Sequence, residues 1–506
     1  MMFLRFIFLK NVSTDSQKFI KQGFIFFLII FPSILTAAPQ AQPGDVILRH
    51  NIQMLADRGI ISSPVTTWPI AWDDLLEDLK SQNADDNLSG EILSVFNHIL
   101  ARAIGETSHG KFKFGGGLTL SNDPMNIRGF SNIPRETSEA IGNFSWLDKN
   151  LTIDIKLSSV ITSSGERQFR ADGSQISLKL GNWSFGASIM DRWWGPGWDG
   201  SLILSSNARP IPSFTIGRNL TSPFESKFLR WIGPWDMQVI FGVLEEERTI
   251  ANANFFGMRF NFRPLETLEI GISRSAQLCG DSRPCGFNTF KKLWLGRDNI
   301  DDGNITLENE PGNQMAGFDF RWSNKWNNMP ISVYGQFIGE DEAGGLPSRY
   351  LAQVGLEGSG FTRNDGSYRW FMEWAGTSCD ILKNKIRYNC AYRQAIYKSG
   401  YTYKDRIIGH GLDNDASVYS FGVVLVSPKE NLWQLTGRFG NLNKVGSDNY
   451  HSVAIDPQYV KSLDVQRNWF TSIGLFKIGF GLESREKVFS GETSTHSRGF
   501  ISWFYK

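Results

Sequence analysis

Ten residues at 191–200, DRWWGPGWDG, combine three tryptophans with charged side chains where glycine and proline interrupt regular structure. Indole faces stack on the apolar face of a sugar ring, and carboxylates and guanidinium groups hydrogen-bond its hydroxyl groups. Large rings also fill cavities. The stretch therefore predicts one of two roles: a platform that binds a sugar, or a plug that closes a hole. The candidate residues for either role are Asp191, Arg192, Trp193, Trp194, Trp198 and Asp199.

Three further segments are rich in acids, and a run of tyrosines lies beside the last of them. The segments are GRDNIDDGN at 296–304, IGEDEAGG at 338–345 and HGLDNDAS at 410–417, and the tyrosines are Tyr388, Tyr392, Tyr397, Tyr401 and Tyr403. Carboxylates together with aromatic rings are typical of glycan binding. The alternative is that the rings pack loops onto the fold and the acids are only solvated. For the surface as a whole we favour binding, with Asp301, Asp302, Glu340, Asp341, Asp413 and Asp415 as candidates.

Signatures of enzymes and metal sites are weak in this sequence. Asp301, Asp302 and Asn304 suggest calcium, but the complete ligand pattern with a distant glutamate is missing. The six histidines belong to no G-x-S-x-G or H-E-x-x-H motif, and a solvated charge cluster explains His410 beside two aspartates. We therefore predict no catalytic residue, no metal and no cofactor. The net charge of +1 creates no field that would attract nucleic acid.

The N-terminus reads as an export signal over residues 1–38. Two lysines precede the apolar stretch GFIFFLIIFPSIL at 23–35, and the small residues Thr36, Ala37 and Ala38 follow it. The stretch is too short to span a bilayer as a helix, and its flanks are those of a cleavable signal peptide. A short membrane anchor is the less favoured alternative.

The four cysteines form two local pairs, Cys279 with Cys285 and Cys379 with Cys390. An even number of cysteines in an exported chain predicts disulfides. The spacing contains no C-x-x-C, and no histidine or third cysteine lies close in sequence to either pair. We therefore expect disulfide bonds within loops and no zinc site.

Residues 39–108 have the periodicity of about three helices. Asp45 is suited to cap the first helix, in which Leu48, Ile52 and Leu55 share one face. Leucines at 75, 76 and 79 indicate a second helix, and Ser89 begins a third with apolar residues at helical spacing. We interpret this region as a small accessory helical bundle.

From Lys111 onward the apolar residues recur with period two, as in KFKFGGGLTLS at 111–121 and LTIDIKLSS at 151–159. A soluble sandwich would turn this apolar face inward, whereas a membrane barrel turns it to lipid and keeps a polar face toward a wet lumen. About 400 residues of such strands, with an aromatic-rich final segment SRGFISWFYK, favour the barrel. We predict an all-β transmembrane barrel of about 18 antiparallel strands over 109–506.

The connections between strands set the orientation. Short ones, such as 148–150, 180–182 and 363–366, alternate with long irregular ones. Outer-membrane barrels have short periplasmic turns and long extracellular loops. With an even number of strands, both ends of the barrel region lie with the helical bundle in the periplasm. The fifth strand then delivers 191–212 to the outer end, and both cysteine pairs fall in outer loops.

Several long segments give the chain a specific resemblance to the Wzi family of capsule-assembly outer-membrane proteins. The segments are VILRHNIQMLADRGII, PVTTWPIAW, DRWWGPGWDGSLILSSNARPIP, PFESKFLRWIGPW, LGRDN, YGQFIGEDEAGGLPSRY, YRWFMEWA and IGHGLDNDASVYSFG. The resemblance runs from about Asp45 to the C-terminus. It implies an outer-membrane barrel of 18 strands with a periplasmic helical bundle, and a lectin that retains capsular polysaccharide at the cell surface without catalysis.

Three hypotheses follow from the residues and the resemblance. The first is a non-catalytic outer-membrane lectin that anchors capsular or extracellular polysaccharide through its outer loops. Its expected partners are that polysaccharide, outer-membrane lipid and other capsule export components, and no nucleic acid. The second is a diffusion or polysaccharide export pore, motivated by the charged inward faces. The third, an outer-membrane hydrolase, needs a nucleophile or metal site that the sequence does not offer.

Overall fold

The computed structural model describes residues 40–81, 88–294, 312–327, 329–343, 346–446 and 451–505. The signal peptide predicted at 1–38 lies outside these residues. Within them the helices are α1 (Val46–Ala56), α2 (Trp72–Ser81), α3 (Gly90–Glu106) and α4 (Phe287–Trp294), with one 3-10 turn at Arg230–Ile232. In this described part, no helix has the length and apolar character needed to cross a membrane.

Eighteen strands of the described residues form one sheet. In chain order they are β1 (Phe112–Ser121), β2 (Ser138–Leu147), β3 (Leu151–Ile161), β4 (two segments, Arg167–Arg170 and Ser174–Leu180), β5 (Trp183–Ile189), β6 (Ser213–Arg218), β7 (Trp235–Val243), β8 (Asn254–Leu265), β9 (Leu268–Leu278), β10 (Gly312–Trp326), β11 (Met329–Ala343), β12 (Leu346–Phe361), β13 (Ser367–Gly376), β14 (Ser417–Val426), β15 (Leu432–Leu442), β16 (Gln458–Thr471), β17 (Gly474–Lys487) and β18 (Thr493–Tyr505).

The sheet closes into a barrel. Each strand pairs antiparallel with its neighbours in the chain, and β18 returns to pair with β1. At this seam Tyr505 lies opposite Gly116 and Phe500 lies opposite Ser121. Both segments of β4 pair with β3, so we count them as one interrupted strand. The predicted barrel of about 18 strands is confirmed.

The two faces of the sheet have opposite polarity. On β17, Ile478, Phe480 and Leu482 are exposed on the outer face, while Glu483, which follows Leu482, is buried toward the interior. A soluble sandwich would bury the apolar set. The structure buries the polar set, as expected for a barrel whose outer face contacts lipid. This excludes the sandwich that the period-two pattern alone left open.

Helix α1 lies inside the barrel. Asp45 caps it as predicted, because its carboxylate accepts from the Leu48 N–H at 3.0 Å. Every residue of the helix is buried, including Arg49 and His50. The imidazole Nε2 of His50 lies 2.9 Å from the hydroxyl of Ser367 on β13. A lumen with polar walls offers partners to the polar face of the helix, so that face needs no solvent.

The chain after α1 continues along the inner wall. The carboxylate of Glu269 on β9 accepts from the N–H groups of Val65 and Thr66 at 2.9–3.1 Å. Gln238 on β7 donates to the Pro69 carbonyl at 2.8 Å. The three N-terminal helices that the sequence predicts are present. The first of them packs in the lumen and shares one apolar core with the other two.

The barrel has two distinct ends. We call the end beside α2 and α3 the helical end, and there most turns are short, as at 148–150, 181–182 and 266–267. The exception is 219–234. At the opposite end, the loop end, the connections are longer, as at 122–137, 190–212, 377–416 and 443–457.

One predicted loop is largely strand. IGEDEAGG was expected to form a connection at 338–345, but β11 runs to Ala343, so Glu340 and Asp341 belong to a strand. Glu340 is buried. A buried acid at Glu340 is compatible with a strand here because the barrel interior is polar.

Candidate functional site

The segment 190–212, which we call the plug loop, enters the lumen and carries the candidate tryptophans. Their exposed fractions are 0% for Trp193 and Trp194 and 3% for Trp198. Trp198 stacks on Phe371 of β13 with ring centres 5.8 Å apart, and Trp193 meets Phe130 edge to face at 5.4 Å. Other protein rings therefore cover the indole faces that a sugar would need. This geometry favours the plug over the sugar platform.

The plug loop is fastened to the N-terminal segment. Trp193 and Trp194 pair as a short strand with Trp68 and Thr67. The Arg49 guanidinium donates to the carbonyls of Pro196 and Gly197 at 2.7 and 2.8 Å. These contacts join a helix near the start of the chain to a loop that enters the lumen from the loop end.

Carboxylates of the barrel wall hold the tip of the plug loop. Glu373 accepts from the backbone N–H groups of Trp198 and Asp199, each at 2.6 Å. Glu357 accepts from the indole N–H of Trp198 at 2.8 Å and from Arg369 at 2.7 Å. A buried carboxylate is costly unless it is fully paired, so these wall residues fix the position of the loop.

The charged candidates of the plug loop are engaged by the protein itself. Asp199 forms an ion pair with Arg438 of β15 at 2.6 Å, and Asp191 pairs with Arg135 at 2.8 Å. Arg192 donates to the hydroxyl of Ser188 at 2.8 Å and to the carbonyl of Met190. These groups act as internal ties.

The acids of HGLDNDAS also hold loops together. Asp413 accepts from the N–H and hydroxyl of Ser452 at 2.6 and 2.8 Å. Asp415 accepts from the Asn389 N–H at 2.7 Å, and burial raises its pKa to about 6. The structure therefore brings Asp413 and Asp415 into loop packing and not onto an open surface. Asp301 and Asp302 lie outside the described residues.

The segment 377–416, which we call the cap loop, covers the plug loop from the loop end. Of the tyrosine run, Tyr388 is exposed, whereas Tyr392, Tyr397, Tyr401 and Tyr403 are buried. Tyr392 and Tyr401 donate from their hydroxyls to the carbonyls of Leu202 and Ile203, each at 2.8 Å. A Cβ on Gly200 would overlap the ring of His410. The expected surface of tyrosines is thus mainly internal packing.

Both predicted disulfides are formed, Cys279 with Cys285 and Cys379 with Cys390. The second closes the start of an exposed part of the cap loop. From Ile381 to Gly400, which we call the basic lobe, the chain has five Lys or Arg residues and no Asp or Glu. Lys383 and Arg387 have exposed fractions of 66% and 56%, and both pair with the buried carboxylate of Asp380, at 2.8 and 3.2 Å. Tyr388 is exposed beside them.

Sequence reasoning missed this basic lobe because it searched for acids and aromatic rings. A usable signal was present: a run of basic residues without an acid, joined to a pair of cysteines. The net charge of the whole chain conceals this local excess.

A small cavity of about 60 Å³ remains between the plug loop, the 122–137 loop and one side of the barrel. Trp198, Phe130 and Phe371 form its apolar part. Its charged and amide lining includes Asp199, Arg438, Asp464, Gln466 and Arg498. Among the described residues, no group of three or more His, Cys, Asp or Glu is placed to hold a metal ion.

A closed antiparallel barrel of 18 strands with an apolar outer face and a polar interior defines an outer-membrane β-barrel protein, here with its lumen filled by its own chain. The chain belongs to the capsule assembly protein Wzi family, whose family model matches residues 120–494.

Two relatives illustrate this membership. An uncharacterized 55.8 kDa protein in the cps region of Klebsiella pneumoniae is 32% identical over 335 residues, which are 65% of this chain and 64% of that protein. The chain thus aligns with just under two thirds of that relative's length. A solved structure, described as Wzi, an outer membrane protein of group 1 capsule assembly in Escherichia coli and a carbohydrate-binding β-barrel, is 24% identical. It superposes with a TM-score of 0.78 over 92% of this chain and 99% of that one, which shows a shared fold.

Proposed function

We propose that this protein is a non-catalytic outer-membrane lectin that binds secreted capsular or extracellular polysaccharide and attaches it to the cell surface. The observation that carries the proposal is the filled lumen. Helix α1 and the plug loop occupy the interior, and Glu357 and Glu373 of the wall hold Trp198 of the loop. A barrel closed in this way suits a fixed platform better than a channel. Family membership and the carbohydrate-binding relative support the same function.

In this proposal the tryptophans of the plug loop close the barrel, and polysaccharide contacts the loop end. The basic lobe is the best-suited surface. Lys383, Lys385 and Arg387 are exposed, and Tyr388 presents a ring next to them. Basic side chains bind carboxylates and phosphates, and an aromatic face adds stacking on the sugar ring. The polymer class that fits is therefore an acidic polysaccharide.

The proposed orientation puts the helical end in the periplasm and the loop end outside the cell. Short turns at the helical end and long loops at the other end support it. Polysaccharide that has left the cell would then meet the basic lobe directly. Components of the export machinery would meet the helical end.

A binding experiment and a genetic experiment test the proposal together. We expect the purified full-length protein to retain acidic polysaccharide from the encoding bacterium and to ignore neutral dextran. A deletion strain should make and export the polymer normally but release it into the medium. Cell-associated polymer that is unchanged by the deletion would contradict the proposal.

A diffusion or export pore is the second candidate, and the charged and amide side chains that line the cavity beside the plug loop favour it. Single-channel recordings in planar bilayers separate the two functions. A large, steady conductance of the wild-type protein would support the pore and count against the lectin.

A further inference from the structure

The connection 219–234 differs from every other turn described at the helical end, because it is long and carries exposed apolar side chains. It includes most of PFESKFLRWIGPW, a motif that plays no part in filling the lumen. Phe228 and Trp231 have exposed fractions of 88% and 64%, and Leu229 is exposed as well. Large apolar side chains that remain in water need an explanation when they are contiguous.

The segment is folded and not a loose linker. The N–H of Arg230 donates to the Ser226 carbonyl at 2.9 Å, and the next turn is a 3-10 helix at Arg230–Ile232. Gly233 ends it with a φ of 71°, and a Cβ there would overlap the carbonyl of Arg263. The backbone therefore holds the apolar side chains in a defined place.

That place is beside the lipid-facing side of the barrel. On β8, Arg259 is inward and paired with Asp319, so by alternation Phe260 and Phe262 face outward. Trp231 meets Phe262 edge to face, with ring centres 6.2 Å apart. On the neighbouring strand, Trp235 also faces outward, opposite Phe262.

The start of the segment is fixed to the same outer surface. Phe224 stacks on Trp235 with ring centres 4.5 Å apart and an interplanar angle of 12°. The Arg218 guanidinium lies 3.5 Å from the centre of the same indole ring. The exposed side chains of the segment thus continue the lipid-facing aromatic surface at the end of strands β7 and β8.

Basic residues accompany the apolar ones. Lys227 and Arg230 are both exposed and flank Phe228 and Leu229 in the sequence. Apolar side chains next to Lys and Arg are the composition of segments that lie in a membrane interface, where the rings enter the acyl boundary and the cations meet phosphates.

We propose that residues 222–233 are an interfacial anchor that inserts Phe228, Leu229 and Trp231 into the phospholipid leaflet at the helical end. Lys227 and Arg230 bind the lipid phosphates. The anchor fixes the depth of the barrel in the bilayer near β7 and β8. Anchoring requires no polysaccharide, so the anchor and the lectin function can be tested independently of each other.

Site-directed fluorescence tests the anchor in the full-length protein reconstituted in phosphatidylethanolamine–phosphatidylglycerol vesicles. All four cysteines of the sequence lie in described residues and are paired, so Phe228→Cys supplies a unique free thiol for an environment-sensitive probe. The matched control is Asn364→Cys, an exposed residue in the short 362–366 turn at the same end.

We expect lipid brominated in its acyl chains to quench the probe at 228, and aqueous iodide to quench that probe severalfold less than the probe at 364. Equal iodide quenching at both positions would overturn the anchor. A probe at 228 that is shielded from both quenchers would overturn it too, because a protein partner or a second copy would then cover the segment. Adding Lys227→Glu and Arg230→Glu should raise iodide access at 228 in the same vesicles.

Discussion

Arg49 of helix α1 lies over the face of Trp198 in the plug loop, with its guanidinium carbon 4.2 Å from the centre of the indole ring. The same guanidinium is 4.4 Å from the centre of Phe130. Its two hydrogen bonds to loop carbonyls complete the contact. One side chain thus links the N-terminal segment, the plug loop and the 122–137 loop.

Arg49→Ala should weaken the attachment of the plug loop to helix α1. The change removes the cation from the aromatic faces and leaves the buried Pro196 carbonyl without the Arg49 donor, while the Gly197 carbonyl keeps only the indole N–H of Trp193. We therefore expect the free energy of unfolding to fall by about 3 kcal/mol. Denaturant titration measures this loss, and planar-bilayer recordings should show openings that the wild type lacks. Arg102→Ala is the control, because its pair with Asp45 is partly exposed and is worth about 1 kcal/mol or less. Identical recordings for Arg49→Ala and wild type would contradict the link.

Trp198→Ala separates the two roles that the sequence allowed for this indole. Loss of a buried ring should cost about 3–5 kcal/mol and open a path through the lumen. Polysaccharide binding, measured on protein that remains folded, should persist. Trp433→Ala removes an exposed outward-facing indole and should change neither property. Lost binding with unchanged conductance would instead assign Trp198 to a sugar platform.

Reversing charge on the basic lobe should weaken binding of acidic polysaccharide. We expect Lys383→Glu combined with Lys385→Glu to lower affinity by about tenfold or more, with a reduced dependence on salt, because two attractive charges become repulsive. Surface plasmon resonance at several ionic strengths measures both effects. Lys149→Glu at the helical end is the matched control and should bind normally. Unchanged affinity of the double variant would remove the lobe from the binding surface.

The two disulfides should differ in their effect on binding. Cys379→Ser with Cys390→Ser frees the start of the basic lobe, and the added freedom of the unfolded chain should cost about 2–3 kcal/mol of local stability. We expect a severalfold loss of polysaccharide affinity with the barrel intact by circular dichroism. Cys279→Ser with Cys285→Ser loosens a different loop and should leave affinity unchanged. Equal losses in both variants would argue against a specific role for the lobe.

Acid should weaken the contact between the cap loop and the plug loop. Burial lowers the pKa of His410 to about 4, whereas an unfolded histidine titrates near 6.5. Between these values the unfolded chain binds the extra proton, so the free energy of unfolding falls as pH falls through this window. The stabilisation is fully present above pH 6.5 and decreases by up to roughly 3 kcal/mol at pH 4.

Melting temperatures between pH 7.5 and 4.5 measure this dependence. His410→Asn should flatten part of the profile, while His50 and His451, whose pKa values burial also lowers, retain the rest. His496→Asn changes an exposed histidine and should reproduce the wild-type profile. A wild-type profile for His410→Asn would show that this imidazole does not carry the effect.

The barrel could be predicted because the pattern that indicates each strand lies within a few consecutive residues. Alternation along a strand assigns each side chain to one face, and the length of the period-two region gives the number of strands. Ile478, Phe480 and Leu482 illustrate this, since their spacing alone identifies the outer face. Which face meets water required a further argument from length and from the export signal.

The filling of the lumen could not be predicted in the same way. Helix α1 has the periodicity of a surface helix, with Arg49, His50 and Gln53 away from its leucines. The partners that permit this burial lie far along the chain: Arg49 donates to carbonyls of the plug loop, and His50 lies against Ser367 of β13. No local pattern contains this pairing. The stretch DRWWGPGWDG indicates an unusual loop, but the residues that this loop contacts are also far away in the sequence.

The close approach of Gly200 and His410 has a consequence for the family as a whole. A side chain at position 200 and an imidazole at position 410 would occupy the same volume. Evolutionary change at one of these positions is therefore conditional on change at the other. Relatives that have gained a Cβ at the first position should have lost the ring at the second, so the two columns of a family alignment should covary even though 210 residues separate them.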